Sequence, residues 1–141
     1  MTITPPRVDS PQLESIITAL TTHPYTEHGG RAIRIAVGDA LTTLNDEVEV
    51  DVPLPNNVSA PYLVSGHVAV TTATTGSINT INTHLHRLAT NHSIAAVILA
   101  TTDGRLATHA PTYIDDCPVR VAYLTVGPVN AYVDLFETPQ P

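Results

Sequence analysis

Apolar residues at helical spacing predict a first helix near the start of the sequence. Ser10-Pro11 is a helix start, with an N-cap residue followed by proline in the first turn. The apolar positions that follow are Leu13, Ile16, Ile17 and Leu20. Because the residue before a proline avoids helical backbone, His23-Pro24 is expected to end this first helix.

A second helix is predicted from Thr26-Glu27 onward. Its apolar positions are Ile33, Val37, Ala40, Leu41 and Leu44. Gly29-Gly30 weakens the helix start, which leaves open whether the helix begins at Glu27 or near Asp39. Residues 32–37 are also compatible with a strand.

Strict alternation predicts a strand over residues 47–53. The side chains divide into Val48, Val50 and Val52 on one face and Glu47, Glu49 and Asp51 on the other. This division indicates a strand with one face in water. Residues 62–64 and 67–70 then predict a hairpin, joined by a tight turn at Ser65-Gly66.

Gly76-Ser77 caps the clearest helical pattern in the chain, which stops near Asn91. Its apolar positions are Ile78, Ile81, Leu85 and Leu88. The continuous apolar run at residues 94–100 is typical of a central strand buried on both faces. A turn is expected at Asp103-Gly104, a strand over residues 119–126, and a last strand over residues 129–136.

This order of elements predicts a single α/β domain over residues 1–141. We expect a central mixed β-sheet of about four to six strands flanked by helices. Residues 1–9 and 137–141 are expected to be loose tails. The apolar runs are far too short to span a bilayer, and the first residues lack a signal-peptide pattern. The expected location is therefore the cytoplasm or a virion.

Charge and cysteine content narrow the classes of partner. Charged residues make up 13% of the chain, the net charge is −7, and all six basic residues are arginine. This balance disfavours broad binding to nucleic acid or anionic lipid. A surface so poor in charge is typical of a subunit covered by neighbours, which predicts protein partners in a homo-oligomer or larger assembly. The single cysteine, Cys117, is expected to be packed, with its pKa raised by the acids before it.

The segments at residues 49–55, 76–89, 94–102 and 116–121 together resemble the PD-(D/E)XK nuclease-like superfamily. The resemblance covers residues 27 to 126 approximately and follows a pattern of elements rather than a diagnostic motif. It implies a restriction-endonuclease-like core. It also implies a site in which an aspartate on the second core strand and Glu-X-Lys on the third bind a divalent metal and orient water.

This sequence departs from the family at the positions that carry the chemistry. Tyr62 lies in the second-strand region that lacks an acid, and Thr71 and Ala73 stand at the places of Glu and Lys. Of the residues that the family helix often carries, only Arg87 is retained. Because the chain contains no lysine, no other alignment restores the motif. The resemblance therefore implies a lost nuclease site, and no cofactor is expected.

Three functions remain open at this point. The first is a non-catalytic structural or assembly subunit, for example a virion component at a phage head–tail junction or tail. The second is a metal-dependent nuclease whose carboxylates have migrated to Glu27, Glu49 or Asp51, with Arg87 in place of the lysine. The third is an inhibitor or binding module with an acidic face. That face would consist of Glu47, Glu49, Asp51, Asp115 and Asp116.

Other constellations carry less weight. The carboxylates Glu47, Glu49 and Asp51 are weak metal candidates, because acids that alternate along a wet strand usually serve solubility. His84 and His86 are two residues apart on a helix, so they cannot form the usual metal-binding pair and are expected at a surface or interface.

Overall fold

The computed structural model describes residues 10–126, except His28, Asn45 and Asn56. The predicted tails and the predicted last strand at residues 129–136 lie outside the described residues. The helices are α1 (Ser10–Thr22), α2 (Gly30–Leu41), α3 (Ile78–Ala89) and α4 (Gly104–His109). The strands are β1 (Val48–Leu54), β2 (Val58–Val64), β3 (Val68–Ala73), β4 (Ala96–Thr101), β5 (Tyr113–Ile114) and β6 (Cys117–Tyr123).

The strands form one mixed sheet in the order β1-β2-β3-β4-β6-β5, as the sequence predicts for its fold class. β1, β2 and β3 pair antiparallel, whereas β3, β4 and β6 run parallel. The short β5 pairs antiparallel with β6 at the other end of the sheet. Crossover helices are needed to join parallel neighbours, and α3 supplies the connection from β3 to β4.

Two hydrophobic cores lie on opposite faces of this sheet, so the domain has three layers. The first core joins α1 and α2 to the sheet through residues such as Ile16 and Val37. The second core joins α3 and α4 to the other face through residues such as Leu88 and Leu106. β4 is buried along all six residues, which confirms the central strand predicted from its continuous apolar run.

α2 begins at Gly30, so both predicted starting points, Glu27 and Asp39, are wrong. Residues 32–37 are helical, which rules out the alternative strand. The helix places Ile33 and Val37 in the first core. This burial favours helix over strand in a segment whose local sequence is compatible with both. The short elements α4 and β5 were not predicted, because the turn residues next to them indicated loops at these positions.

The faces of β1 reverse in the middle of the strand, so the predicted division of its side chains is wrong. Val48 contacts the first core and Val52 the second, while Val50 is 59% exposed. The reversal falls at Asp51, whose φ of 52° lies in the left-handed region. Asp51 and Pro61 lie between the pairs Val50↔Tyr62 and Val52↔Ala60 and are not themselves recorded as a pair. Pro61 has no N–H to donate to the ladder.

The side chains of β2 also exchange faces of the sheet, at the position next to Asp51 of β1. Ala60 lies in the second core and Tyr62 in the first, although residues two apart in a regular strand share a face. The recorded pairs between β2 and β3 run only from Tyr62↔Val70 to Val64↔Val68. From Thr71 onward, the recorded strand pairs of β3 are those with β4.

Tyr62 fixes the distance between α2 and the sheet. Its hydroxyl donates a hydrogen bond of 2.6 Å to the backbone oxygen of Arg34. Its ring lies so close to Gly38 that an added Cβ there would be 2.6 Å from the hydroxyl oxygen and 3.0 Å from Cζ. The glycine is therefore explained by a close approach of the helix to the aromatic ring.

We expect Gly38→Ala to lower the free energy of unfolding by up to about 2 kcal/mol. Overpacking typically costs about 1–3 kcal/mol, more than the gain of about 1 kcal/mol from better helix propensity. Gly30→Ala is the matched control, because its Cβ would meet Thr74 Oγ1 at an ordinary 3.6 Å. Urea denaturation measures both variants, and a loss at Gly38 no larger than at Gly30 would contradict the packing argument.

Candidate functional site

The candidate site lies at the end of β3, beyond its last recorded pair with β2, where a side chain of α3 contacts the strand. Ser77 caps α3 by accepting a hydrogen bond of 3.0 Å from the backbone N–H of Thr80, and this cap sets where the helix starts. Leu85 and Leu88 then face the sheet in the second core. His84 lies on the same side of the helix, because it is four residues before Leu88.

His84 and Thr71 form a hydrogen-bonded pair at this site. His84 Nε2 lies 3.0 Å from Thr71 Oγ1, and Thr71 is only 2% exposed. The imidazole is half-buried between the helix and β3, so His84 is less exposed than His86, its neighbour two residues along the helix. The signal for its burial was present in the sequence, since position 84 follows Ile81 by three residues and precedes Leu88 by four.

Burial lowers the pKa of His84, and the positive charge of Arg87 lowers it further. Both causes disfavour the imidazolium, because removal from water and a nearby like charge each cost the charged form free energy. The neutral ring therefore has one nitrogen that donates and one that accepts, and the pair with the Thr71 hydroxyl suits either tautomer.

The structure separates the positions that the nuclease resemblance places in one site. Ala73 is buried in the second core, on the α3 and α4 side of the sheet. Tyr62 is buried in the first core, on the opposite face, and its hydroxyl is bound to α2. The residues at the degenerate positions therefore do not surround one cavity.

The residues proposed for a migrated site are also apart. Glu27 is exposed in the segment before α2, at a cleft of about 740 Å³ that also includes Arg31 and Asp39. Glu49 is exposed on β1, and Arg87 is exposed on α3. The ion pairs found among the described residues are Arg34–Asp51, Arg105–Asp103 and Arg120–Glu14. None of these pairs joins one residue of the proposed migrated site to another.

The carboxylates of β1 do not form a cluster of metal ligands. Glu47, Glu49 and Asp51 are all exposed, and Asp51 forms an ion pair with Arg34 of α2. Within the described part of the chain, no group of three or more His, Cys, Asp or Glu side chains is placed to hold a metal ion. Asp51 thus links α2 to the strand that carries the face reversal.

The acids proposed as a continuous negative face lie at opposite edges of the sheet. Glu47 and Glu49 belong to the β1 edge, whereas Asp115 and Asp116 form the turn between β5 and β6. Six strands at about 4.8 Å spacing put roughly 24 Å between these edges. The acidic residues are scattered, which removes the main support for an inhibitor or binding module with one acidic face.

A second cleft, of about 500 Å³, lies at the carboxyl ends of the parallel strands, where open α/β sheets usually bind ligands. Its lining includes Thr74, Thr102, Asp103, Tyr123 and Thr125. The Asp103 carboxylate accepts a hydrogen bond of 2.9 Å from the Arg105 backbone N–H and so caps α4. The sequence indicated only a turn at this position.

Cys117 lies in the second core at the start of β6. Burial raises the pKa of its thiol to about 11. A packed cysteine was expected, but the reason given from the sequence was wrong, since burial rather than the neighbouring acids causes the shift. The thiol is therefore a small apolar side chain of the core and not a nucleophile at neutral pH.

Comparison with known proteins adds no relative. No family model matches the sequence, and no curated protein or solved structure is significantly similar to this chain. None of the described helices has the length and apolar character needed to cross a membrane.

We expect the stability of the domain to fall as the pH drops below the unfolded histidine pKa of about 6.5. The folded-state pKa of His84 is lowered, so the unfolded chain binds a proton first and gains stability relative to the folded state. His84→Gln should flatten this dependence while it keeps a hydrogen-bonding group near Thr71.

Urea unfolding at a series of pH values between about 7.5 and 5, a range that brackets the histidine pKa, measures the effect. The matched control is His86→Gln, because His86 is exposed two residues away on the same helix. If the free energy of unfolding falls equally steeply with pH in the wild type and in His84→Gln, the Thr71–His84 pair does not cause the loss of stability in acid.

Proposed function

We propose that this domain is a non-catalytic structural or assembly subunit that has a nuclease-like fold and an occupied, inactive site. The observation that carries the proposal is the Thr71–His84 pair, in which the residue at the place of the Glu in Glu-X-Lys is bonded to a helix side chain. The setting we propose is a virion, at a phage head–tail junction or tail, with other protein subunits as partners.

The order of elements supports the nuclease-like part of the proposal. From α2 to β4, the chain forms a helix, a three-stranded antiparallel meander, a second helix and a strand parallel to the last of the meander. The resemblance expects the same sequence of helix, acidic strand, hairpin, Gly-Ser-capped helix and apolar strand. The Thr71–His84 pair lies just beyond the last recorded pair between β2 and β3, at the end of the meander away from its turn.

The chemistry of the occupied site supports the absence of nuclease function. A divalent metal needs oxygen ligands that carry negative charge, and phosphate cleavage needs a cation for the charge that develops. Thr71 and His84 provide a hydroxyl and an imidazole whose charged form is disfavoured. Arg87 is exposed on α3 and forms none of the ion pairs found among the described residues.

The outer edge of β1 supports an assembly role. An edge strand offers unpaired backbone groups to another chain, and natural proteins usually protect such edges. β1 is seven residues long and exposes Val50 at its centre. Asp51 and Pro53 limit indiscriminate pairing there, because one bends the strand and the other lacks an N–H.

We expect the purified protein to leave duplex and single-stranded DNA intact in the presence of Mg²⁺ or Mn²⁺. A gel assay with a long incubation measures cleavage. Reproducible cleavage that is lost in Glu49→Ala but kept in Glu47→Ala would support the migrated-site nuclease instead. The two carboxylates lie on the same exposed edge, so this pair of variants separates a catalytic role from a general loss of charge.

We also expect light scattering to show a native mass that is a multiple of the 15.0 kDa chain. Val50→Asp should shift the population toward the monomer, because it places a charge at the centre of the β1 edge. Val50→Thr is the matched control, since it keeps the branched shape and adds no charge. A monomer at every concentration, both alone and in material from the native source, would count against the assembly role.

A further inference from the structure

The cleft of about 500 Å³ at the carboxyl ends of the parallel strands, called here the carboxyl-end cleft, is built by all three of these strands. Thr74 follows β3, Thr102 and Asp103 follow β4, and Tyr123 and Thr125 lie at and just beyond the end of β6. Parallel strands end at one edge of the sheet, so the residues that follow them converge there. The cleft is therefore a product of the sheet topology and not of one loop.

Hydroxyl groups dominate the polar lining of the carboxyl-end cleft. They belong to Thr74, Thr102, Tyr123 and Thr125, and none of them has a recorded hydrogen bond to another described residue. Nearby threonines outside the lining are bonded: the Thr101 hydroxyl accepts 3.0 Å from the Asp103 N–H, and the Thr108 hydroxyl donates 2.8 Å to the Gly104 oxygen. A hydroxyl both donates and accepts, so these four groups match a ligand whose own groups do the same.

Asp103 adds one carboxylate to the cleft. Its Oδ1 accepts the hydrogen bond from the Arg105 N–H that caps α4, whereas its Oδ2 lies 3.6 Å from Arg105 Nη2, beyond hydrogen-bonding distance. A carboxylate accepts several hydrogen bonds and donates none, so Oδ2 has capacity for O–H donors of a ligand.

The charges around the cleft favour a neutral ligand. None of the described residues that line it is a lysine, arginine or histidine, so an anion would meet the Asp103 carboxylate without a compensating cation in the lining. A cation gains little there, because Arg105 already lies beside the same carboxylate. Neutral molecules rich in hydroxyl groups avoid both costs.

Tyr123 gives the cleft an aromatic wall. Its neighbours Ala122 and Leu124 lie in the first core, so the Tyr123 side chain is on the opposite, α4 side of the strand, where it is 53% exposed. Its hydroxyl oxygen lies 3.8 Å from the place that a Cβ on Gly104 would take, which locates the end of the ring beside the start of α4. The face of an aromatic ring carries partial negative charge and attracts C–H groups. An aromatic face beside hydroxyl groups and a carboxylate suits a ligand with C–H groups on one face and hydroxyls at its rim.

We propose that the carboxyl-end cleft binds a neutral saccharide. The C–H face of a sugar ring packs on Tyr123, adjacent hydroxyls donate to Asp103 Oδ2, and the remaining rim hydroxyls exchange hydrogen bonds with the threonines of the lining. The cleft volume of about 500 Å³ lies within the range of about 300–1,000 Å³ that is usual for small-molecule sites. The inference is independent of the proposed function, because it uses the carboxyl ends of the strands and not the β1 edge.

Titration of the full chain, followed through its backbone amides by NMR, tests the site. The probes are glucose, galactose and N-acetylglucosamine, the tetrasaccharides maltotetraose and chitotetraose, and inorganic phosphate. We expect saturable shifts of the Thr102, Asp103 and Tyr123 amides with at least one sugar, at a millimolar dissociation constant typical of a small polar ligand. Tighter binding of a tetrasaccharide would identify a glycan chain as the source of the ligand, and equal binding a free sugar. No saturable shift with any of these sugars, or tighter binding of phosphate at the same amides, would overturn the proposal.

Two variants locate the bound sugar. Tyr123→Ala should weaken binding about tenfold, because it removes the aromatic face. Tyr113→Ala is the matched control, since Tyr113 is an exposed tyrosine on β5 that does not line this cleft, and it should leave the affinity unchanged. Equal affinity in Tyr123→Ala and the wild type would overturn the proposal.

Asp103→Asn should also weaken binding about tenfold, because it replaces a charged acceptor by a neutral one. Asparagine is itself a good N-cap residue, so α4 keeps its cap and the variant tests the carboxylate and not the fold. An unchanged urea midpoint confirms this. Asp116→Asn, at an exposed acid in the turn between β5 and β6, is the matched control. Wild-type affinity in Asp103→Asn would contradict the proposed site.

Discussion

The parallel pairing of β4 with β3 and β6 is the interaction on which the remaining structure depends. β4 pairs with β3 over all six of its residues and with β6 over five. Its side chains alternate between the cores, with Ile98 in the first and Leu99 in the second. Because both faces and both edges of this strand are covered, every other element is placed relative to it. α3 reaches its position because it must return the chain from β3 to the start of β4.

Most of the fold could be predicted because it depends on patterns that are local in sequence. The apolar run at residues 94–100 identifies β4, and the Gly76-Ser77 cap with its apolar spacing identifies α3. The reversal of faces in β1 could not be predicted in the same way. It arises at Asp51 and Pro61, between two recorded pairs of β1 and β2, and the register that brings them there is a property of the folded hairpin. The start of α2 depends similarly on burial against the first core.

The candidate site was less predictable than the fold, because it depends on which face of each element a side chain occupies. The resemblance singled out Thr71, and the helical spacing of apolar residues indicated that His84 is partly buried. Their contact could not be predicted, because it depends on how α3 lies against β3. Tyr62 shows the reverse case. It belongs to the correct strand, but the change of faces at Pro61 turns it toward α2, where it packs on Gly38.

The change of faces at Asp51 and Pro61 also has a consequence for how the molecule holds together. One hairpin contributes Val48 and Tyr62 to the core under α1 and α2, and Val52 and Ala60 to the core under α3 and α4. Both helical layers therefore pack against side chains of the same two strands, β1 and β2. Loss of packing in either layer loosens residues that the other layer needs. The domain should therefore lose its structure as one cooperative unit, without a stage in which one layer melts and the other survives.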